Sequence, residues 1–268
     1  MLWKASAIEG FAIAACDGPI GVISDFLFDD ATWLVRWLVV DTGSWLSSRK
    51  VLLPPSVLGH PDADTKKFSV VLTKQEIRDS PSIDTDRPVS RQMETGIYDH
   101  FGWTPYWSTG FYIAGNGSMP QFAAESASPG CWDRDDGQAS GDDPHLRSTR
   151  AVTGYRIQAR DGAIGHVEDF LVADADWSIH YLIIDTKNWW AGKKVLISPA
   201  LVTGITWSDR EVFLGVYCQR VKDSPRYDET THVDREFESS FRDHYAVGRT
   251  AQSPDATIIS LYPPDRLT

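Results

Sequence analysis

A chain of 268 residues fits one large domain or two small ones, and its 42% apolar and 24% charged side chains are those of an ordinary globular protein. The formal net charge is −11 and no basic stripe is present, which argues against nucleic-acid binding driven by counterion release and disfavours anionic lipid surfaces. Cys16, Cys131 and Cys218 lie far apart with no Cys-x-x-Cys pair, so neither a zinc ribbon nor a thioredoxin-type motif is available; reduced thiols in the cytoplasm are the expectation.

In chain order, the N-terminus lacks the charged-then-apolar pattern of a signal peptide. Residues 8–15 read as an edge strand entering a turn at Asp17-Gly18, where glycine tolerates positive φ and Asp bonds its own backbone. Residues 20–28 form a long strand with imperfect alternation (Val22-Ile23 and Phe26-Leu27 are adjacent apolars), as a bending strand would. Gly21 marks the bend or a close backbone approach. A polar turn over 29–32 ends at Trp33. Residues 35–40 follow as a strand apolar on both faces, hence central and buried, with Trp37 in the core; Asp41-Thr42 stop it. The apolar run at 37–40 is far short of the roughly 20 residues that cross a bilayer. After a loop carrying Trp45 come a short strand at 50–53, a helical turn opened by Pro54-Pro55, and a strand at 68–72. Beyond Pro81 the period changes: Val89, Met93 and Ile97 recur every fourth residue, the stripe of an amphipathic helix.

The whole pattern then recurs at an offset of 144, without a gap from Leu2/Leu146 to His100/His244. Asp161-Gly162, Gly165, Trp177, the strand at 179–184 with Tyr181, Ser198-Pro199, and the stripe Val233, Phe237 and Phe241 stand where their counterparts stood. The expected organisation is a first repeat over 1–103, a Gly/Ser/Pro/Asp-rich linker over 104–145 holding six acids against one arginine, a second repeat over 146–247, and a tail over 248–268. Each repeat has about 100 residues, enough to bury a core without disulfides or metal.

The ordered set Asp-Gly-x-Ile-Gly-x-Val-x-Asp-Phe-Leu, a turn, an aromatic-Leu-Val/Ile-Val/Ile-Asp-Thr strand, then Lys-Val-Leu-Ile-Ser-Pro resembles the PRC-barrel family. That family includes the cytoplasmic domain of the photosynthetic reaction-centre H subunit and the C-terminal domain of the ribosome maturation factor RimM. The resemblance implies a mainly β fold of two small bent barrels, each followed by an amphipathic helix, that works by binding protein. The chain departs from the H subunit in lacking a membrane anchor, and from RimM in lacking its RNA-contacting domain and any basic face.

Asp29, Asp30, Asp174 and Asp176 offer hard oxygen ligands, but too few for Ca²⁺, and Asp also suits turns for its backbone bonds. Asp25/Asp169 and Asp41/Asp185 flank strands, where carboxylates accept backbone N–H groups; no partner base accompanies them. His100 and His244 sit near the ends of the terminal helices, favourable places for a partly cationic ring. No nucleophile elbow, phosphate loop or His-x-x-x-His pair occurs, so no catalytic, cofactor or metal residue is assigned. The tryptophans of the loops, Trp33, Trp45, Trp177, Trp189 and Trp190, are the candidate interaction surface, because Trp dominates hot spots.

The expected function is a non-enzymatic, cytoplasmic binding or scaffold protein whose two repeats pair about a pseudo-twofold axis, with a protein partner or self-association through barrel surfaces. The alternatives are a small-ligand or ion sensor with a pocket between the barrels, and an RNA-processing or ribosome-assembly accessory factor.

Overall fold

A computed structural model of the chain describes residues 1–47, 49–59, 62, 65–81, 91–105, 146–186, 193–228, 233 and 235–245. Over these residues the protein is mainly β, in two sheets with few helices. The first repeat contains β1 (Leu2–Lys4), α1 (Ala5–Ile8), β2 (Ala12–Ala15), β3 (Gly18–Asp29), β4 (Leu34–Asp41), β5 (Lys50–Leu53), β6 (Lys67–Ser69), α2 (Lys74–Asp79) and α3 (Arg91–Phe101). The second contains β7 (Leu146–Ser148), α4 (Thr149–Val152), β8 (Arg156–Ala159), β9 (Gly162–Ala173), β10 (Ile179–Asp185), β11 (Lys194–Ile197), β12 (Val202–Thr206), β13 (Glu211–Leu214), α5 (Cys218–Lys222), β14 (Arg226–Tyr227) and α6 (Arg235–Tyr245).

These described residues fall into two compact units. One draws on 1–155 and 167–183, the other on 156–166 and 184–268, so the units cross the boundaries of the sequence repeat. The first unit holds a sheet of order β5-β4-β3-β2-β6, with β7 added on β3. Asp17-Gly18 turns β2 into β3 as expected, with Ala15 opposite Gly18. β3 slips register against β4 between Ile23 and Asp25 and again between Leu27 and Phe28; these irregularities bend the strand where its apolar alternation fails. β6 runs parallel to β2, and a single bridge from Leu58 to Val70 brings the far ends of the path towards each other through the 3-10 turn Pro55–Val57.

β4 lies between β3 and β5, so the middle of the sheet is β3 and not the strand expected there. β4 is nonetheless buried on both faces, with Trp37, Leu38, Val39 and Val40 all enclosed. One of its faces is covered by α3, whose Ile97 and Tyr98 join Trp37, Val39, Leu52 and Leu146 in one cluster. Trp37 donates its indole N–H to the buried Glu94 of that helix at 2.5 Å. In the second unit, β13 pairs in parallel with β8 and antiparallel with β12, and β8 pairs with the start of β9; α6 buries Phe241 and Tyr245.

Three features differ from the sequence expectation. The strand expected from residue 8 starts at Ala12, because 5–8 form a single helical turn. That expected at 68–72 is the shorter β6, and the matching strand in the second repeat is β13. A short helix, α2, follows β6, opened by a capping box in which Thr73 and Glu76 bond each other's backbone N–H. No helix among the described residues is long and apolar enough to cross a membrane.

Gly21 lies so close to the end of β4 that a Cβ would run into the Asp41 carbonyl oxygen; Gly165 meets Asp185 in the same way, at φ +149°. Gly21→Ala and Gly165→Ala are therefore expected to destabilise by about 2 kcal/mol or more, read as a loss of thermal midpoint. Gly96→Ala, inside α3 with nothing within 4 Å of the added methyl, is expected to stabilise by up to about 1 kcal/mol in the same measurement.

Candidate functional site

Within the first unit, the opening strand of each repeat adds to the long strand of the other. β1 pairs with β9 through Leu2↔Ala173, Trp3↔Val172 and Lys4↔Leu171. β7 pairs with β3 through Leu146↔Asp29, Arg147↔Phe28 and Ser148↔Leu27, the same positions displaced by 144. The next contacts repeat the reciprocity: Val35 N–H donates to the Trp177 carbonyl at 2.9 Å, and Ile179 N–H to the Trp33 carbonyl at 2.8 Å.

Asp25 and Asp169 secure these exchanges. The Asp25 carboxylate accepts from Ser148 Oγ at 2.5 Å, Thr149 Oγ1 at 3.0 Å and the Arg150 N–H at 3.1 Å, all at the start of α4. It also accepts from the Phe26 N–H. Asp169 does the same for α1, accepting from the Ser6 N–H at 3.2 Å, the Ser6 hydroxyl and the Phe170 N–H. A helix N-terminus presents unpaired N–H groups and a positive dipole end, so a carboxylate suits it on both counts. Glu9 stands nearby and pairs with Arg150 at 3.4 Å. Burial pushes its carboxyl up; Arg150 pulls it back, and the charges of Asp25 and Asp169 push it up further.

The carboxylates considered as metal ligands have other partners. Asp29 accepts from the Ala31 and Thr32 N–H groups and from Arg36 at 3.1 Å; burial acts to raise its pKa, but these bonds prevail and hold it below the ordinary carboxylate value. Asp30 pairs with Arg147 at 2.7 Å, and its counterpart Asp174 with the Met1 ammonium at 2.5 Å. Asp176 accepts from the Ser178 N–H at 3.1 Å and hydroxyl at 2.6 Å. No group of three or more His, Cys, Asp and Glu placed to hold a metal ion occurs among the described residues. Asp41 bonds the Gly43 N–H, while Asp17 and Asp161 bond the first N–H of α2 and of α5. His100 and His244 each donate from Nε2 to a carbonyl of the preceding short helix, Glu76 at 3.1 Å and Arg220 at 2.7 Å.

The loop tryptophans are distributed unevenly. Trp33 and Trp177 are half-buried, with φ of 59° and 58°, a left-handed conformation rare for so bulky a side chain. Trp33 stacks on Phe28 at 5.4 Å. Trp177 packs on Phe26 at 6.3 Å and Phe68 at 5.9 Å. One side of each ring therefore belongs to the interior. Trp45 is also half-buried: its indole N–H donates to the Ile20 carbonyl, and Lys74 and Arg78 stand 4.8 and 5.8 Å from its ring centre, within reach of a cation–π attraction. Trp189 and Trp190 lie outside the described residues. The residues that sequence reasoning passed over are Ser6, Ser148 and Thr149; the hydroxyl pair at 148–149 was a legible helix-start signal, and Ser148 does cap α4 through the Ala151 N–H.

Residues 4–76, from the end of β1 into α2, match the PRC-barrel domain family. A protein of Deinococcus radiodurans, described only as uncharacterized, is 34% identical over 74 residues, covering 28% of this chain. That alignment spans 26% of the Deinococcus protein. The chain thus contains a PRC-barrel domain over its first repeat, up to the helix α2.

Asp25→Ala strands the part-buried hydroxyls of Ser148 and Thr149 and the Phe26 N–H, together with the exposed Arg150 N–H. It is expected to cost about 2 kcal/mol in denaturant unfolding, with Asp169→Ala similar and Asp25→Asn milder. The depressed pKa of Asp29 makes its stabilisation complete above the unfolded-state value, about 3.9, and lost as pH falls through the lower folded value. Asp29→Asn should therefore lower the thermal midpoint at pH 7, and the gap to the unmodified chain should close as pH falls through the folded-state value. A gap of constant size across that range would refute the assignment.

Proposed function

We propose that this chain is a non-enzymatic protein-binding or scaffold protein in which two PRC-type barrels, residues 1–103 and 146–247, pair about a pseudo-twofold axis. One observation carries the reading: each repeat lends its first strand and short helix to the other, through the same residues at an offset of 144. An internal pair of this kind reproduces in one chain the commonest symmetry of homodimers. It gives Asp25, Asp169, Asp30 and Asp174, the carboxylates most available for chemistry, structural duties at the exchange. What such a body offers to the outside is surface, with the half-buried Trp45 and Trp177 and the exposed Trp207 and Tyr217 among its aromatic elements. The free thiols of Cys16 and Cys218 fit a reducing compartment, and we place the protein in the cytoplasm.

A protease site inserted within 106–145 tests the pairing. After cleavage the two fragments are expected to co-elute at the mass of the uncut chain and to unfold together; separate elution would end the paired-barrel reading. The intact chain immobilised on resin and exposed to lysate of its native host is expected to retain a protein stoichiometrically. A resin that holds nothing above a blank would end the scaffold reading.

A further inference from the structure

Two clefts in the first unit run into one another. The larger, about 500 Å³, has Tyr98, Trp103 and Trp177 in its walls, with Arg36 and Asp176 as its charged groups. The smaller, about 450 Å³, continues past Leu58 and Gly59. Pro55, Ser56, Asp176 and Trp177 line both. Resting on the protein-binding reading above, we propose that this trough receives an arginine-bearing extended segment of a partner protein, with the guanidinium met by the Trp103 and Trp177 rings and the Asp176 carboxylate.

Three observations select that occupant. The first is charge. Arg36 is already met by Asp29 and Thr32, each at 3.1 Å, so its positive charge is matched within the protein. Asp176 is exposed, lines both clefts and takes its hydrogen bonds from Ser178, a neutral residue. The cationic influence on it from within the chain is the through-space charge of His180, so its carboxylate remains open to a cation in the trough. Those bonds, the Ser178 hydroxyl foremost, hold its carboxyl below the ordinary value, and it stays ionised. The second is ring chemistry. A guanidinium is planar, weakly hydrated and stacks on indole faces while bonding a carboxylate with its edge, whereas a lysine ammonium offers only a point charge. The third is asymmetry. At the 144 offset, Tyr98 and Trp103 correspond to Arg242 and Val247, and Asp176 to Thr32. The equivalent positions, Thr32, Arg242 and Val247, lack this acidic and aromatic set, so the repeated pattern does not itself require it. A volume near 500 Å³ falls in the usual range for binding sites, and the adjoining cleft gives room for chain on either side of the anchor.

The test is titration of the full chain with acetyl-Gly-Arg-Gly-Arg-Gly-amide, followed by tryptophan fluorescence and by amide chemical shifts. Saturable binding is expected, with shifts at Trp103, Asp176 and Trp177. The lysine version should bind more weakly, and the version with citrulline, the neutral isostere, should not bind. Asp176→Asn is expected to weaken the arginine peptide about fivefold, while Asp209→Asn, which removes the same charge from an exposed turn, should leave it within about twofold. Trp103→Leu provides a second loss about as large. Equal binding of the arginine and citrulline peptides, equal effects of the two Asp→Asn changes, or shifts spread over the acidic surface would overturn the assignment. Failure here is distinguishable from failure of the scaffold reading: a host protein retained equally by the unmodified and Asp176→Asn resins would remove this site and leave the scaffold standing.

Discussion

The helices α1 and α4 are each a single turn of four residues, and no turn of that length holds itself in water. What holds each is a carboxylate on the long strand of the opposite repeat, Asp169 for α1 and Asp25 for α4. Taking a carboxylate out of water is costly, and Asp169 is only 7% exposed. The cost is offset because each acid gathers three or four hydrogen bonds, including its own strand's next N–H, and because charge-assisted bonds are the strong ones. Those bonds fix where the first turn sits, and the first turn fixes the three-residue strand before it, too short to find its own register. Without the acids, β1 and β7 would lose the anchor that sets their register.

The same long strands carry the second constraint. Gly21 and Gly165 let β3 and β9 approach the ends of β4 and β10 more closely than any side chain permits, and register shifts just beyond Gly21 swing β3 onward. A strand bent this way shows its two halves to different neighbours. Its early part pairs with β2, and its late part reaches β7. The bend and the exchange therefore depend on one another: a straight β3 would not present Asp25 and the positions opposite β7 as a single run.

Much of this was legible in the residues. The Asp-Gly hairpin, a strand at 35–40 buried on both faces, the close approach of Gly21 and the four-residue spacing of Met93 with Ile97 in α3 and of Phe237 with Phe241 in α6 all follow from local pattern, and each is present. Val89 lies outside the described residues and Val233 precedes α6. The exchange was not legible, for a physical reason. A gapless repeat says which positions are equivalent, but a carboxylate that could cap its own repeat's helix or the other's leaves the same sequence signature. Single-turn helices also fall below any periodicity, which is why the turn at Ala5–Ile8 is not legible and its last residue, Ile8, reads as strand. For the loop tryptophans, sequence weighed exposure in a turn against the interior. The structure gives Trp33 and Trp177 left-handed backbones that fold the rings back onto Phe28 and onto Phe26 and Phe68. Composition alone carries no sign of that reversal.

Where the repeats have diverged says as much as where they agree. A buried indole N–H needs an acceptor, and Trp37 finds it in Glu94, a carboxylate fully enclosed beneath α3. In the second repeat the strand residue is Tyr181, and the matching acid, Glu238, turns outward to Arg242 at 3.7 Å. The aromatic ring and the inward acid change together, as they must, since either alone would leave a polar group buried without its counterpart. In the first repeat α3 is therefore tied to its strand by a polar bond as well as by Ile97 and Tyr98, and that tie fixes the helix end from which Phe101 and Trp103 project as a stacked pair, 4.2 Å apart. The long strands β3 and β9 and those that follow them, β4 and β10, are common to both repeats, and the terminal helix is where the repeats differ. A surface that distinguishes one repeat from the other is accordingly built on the end of α3.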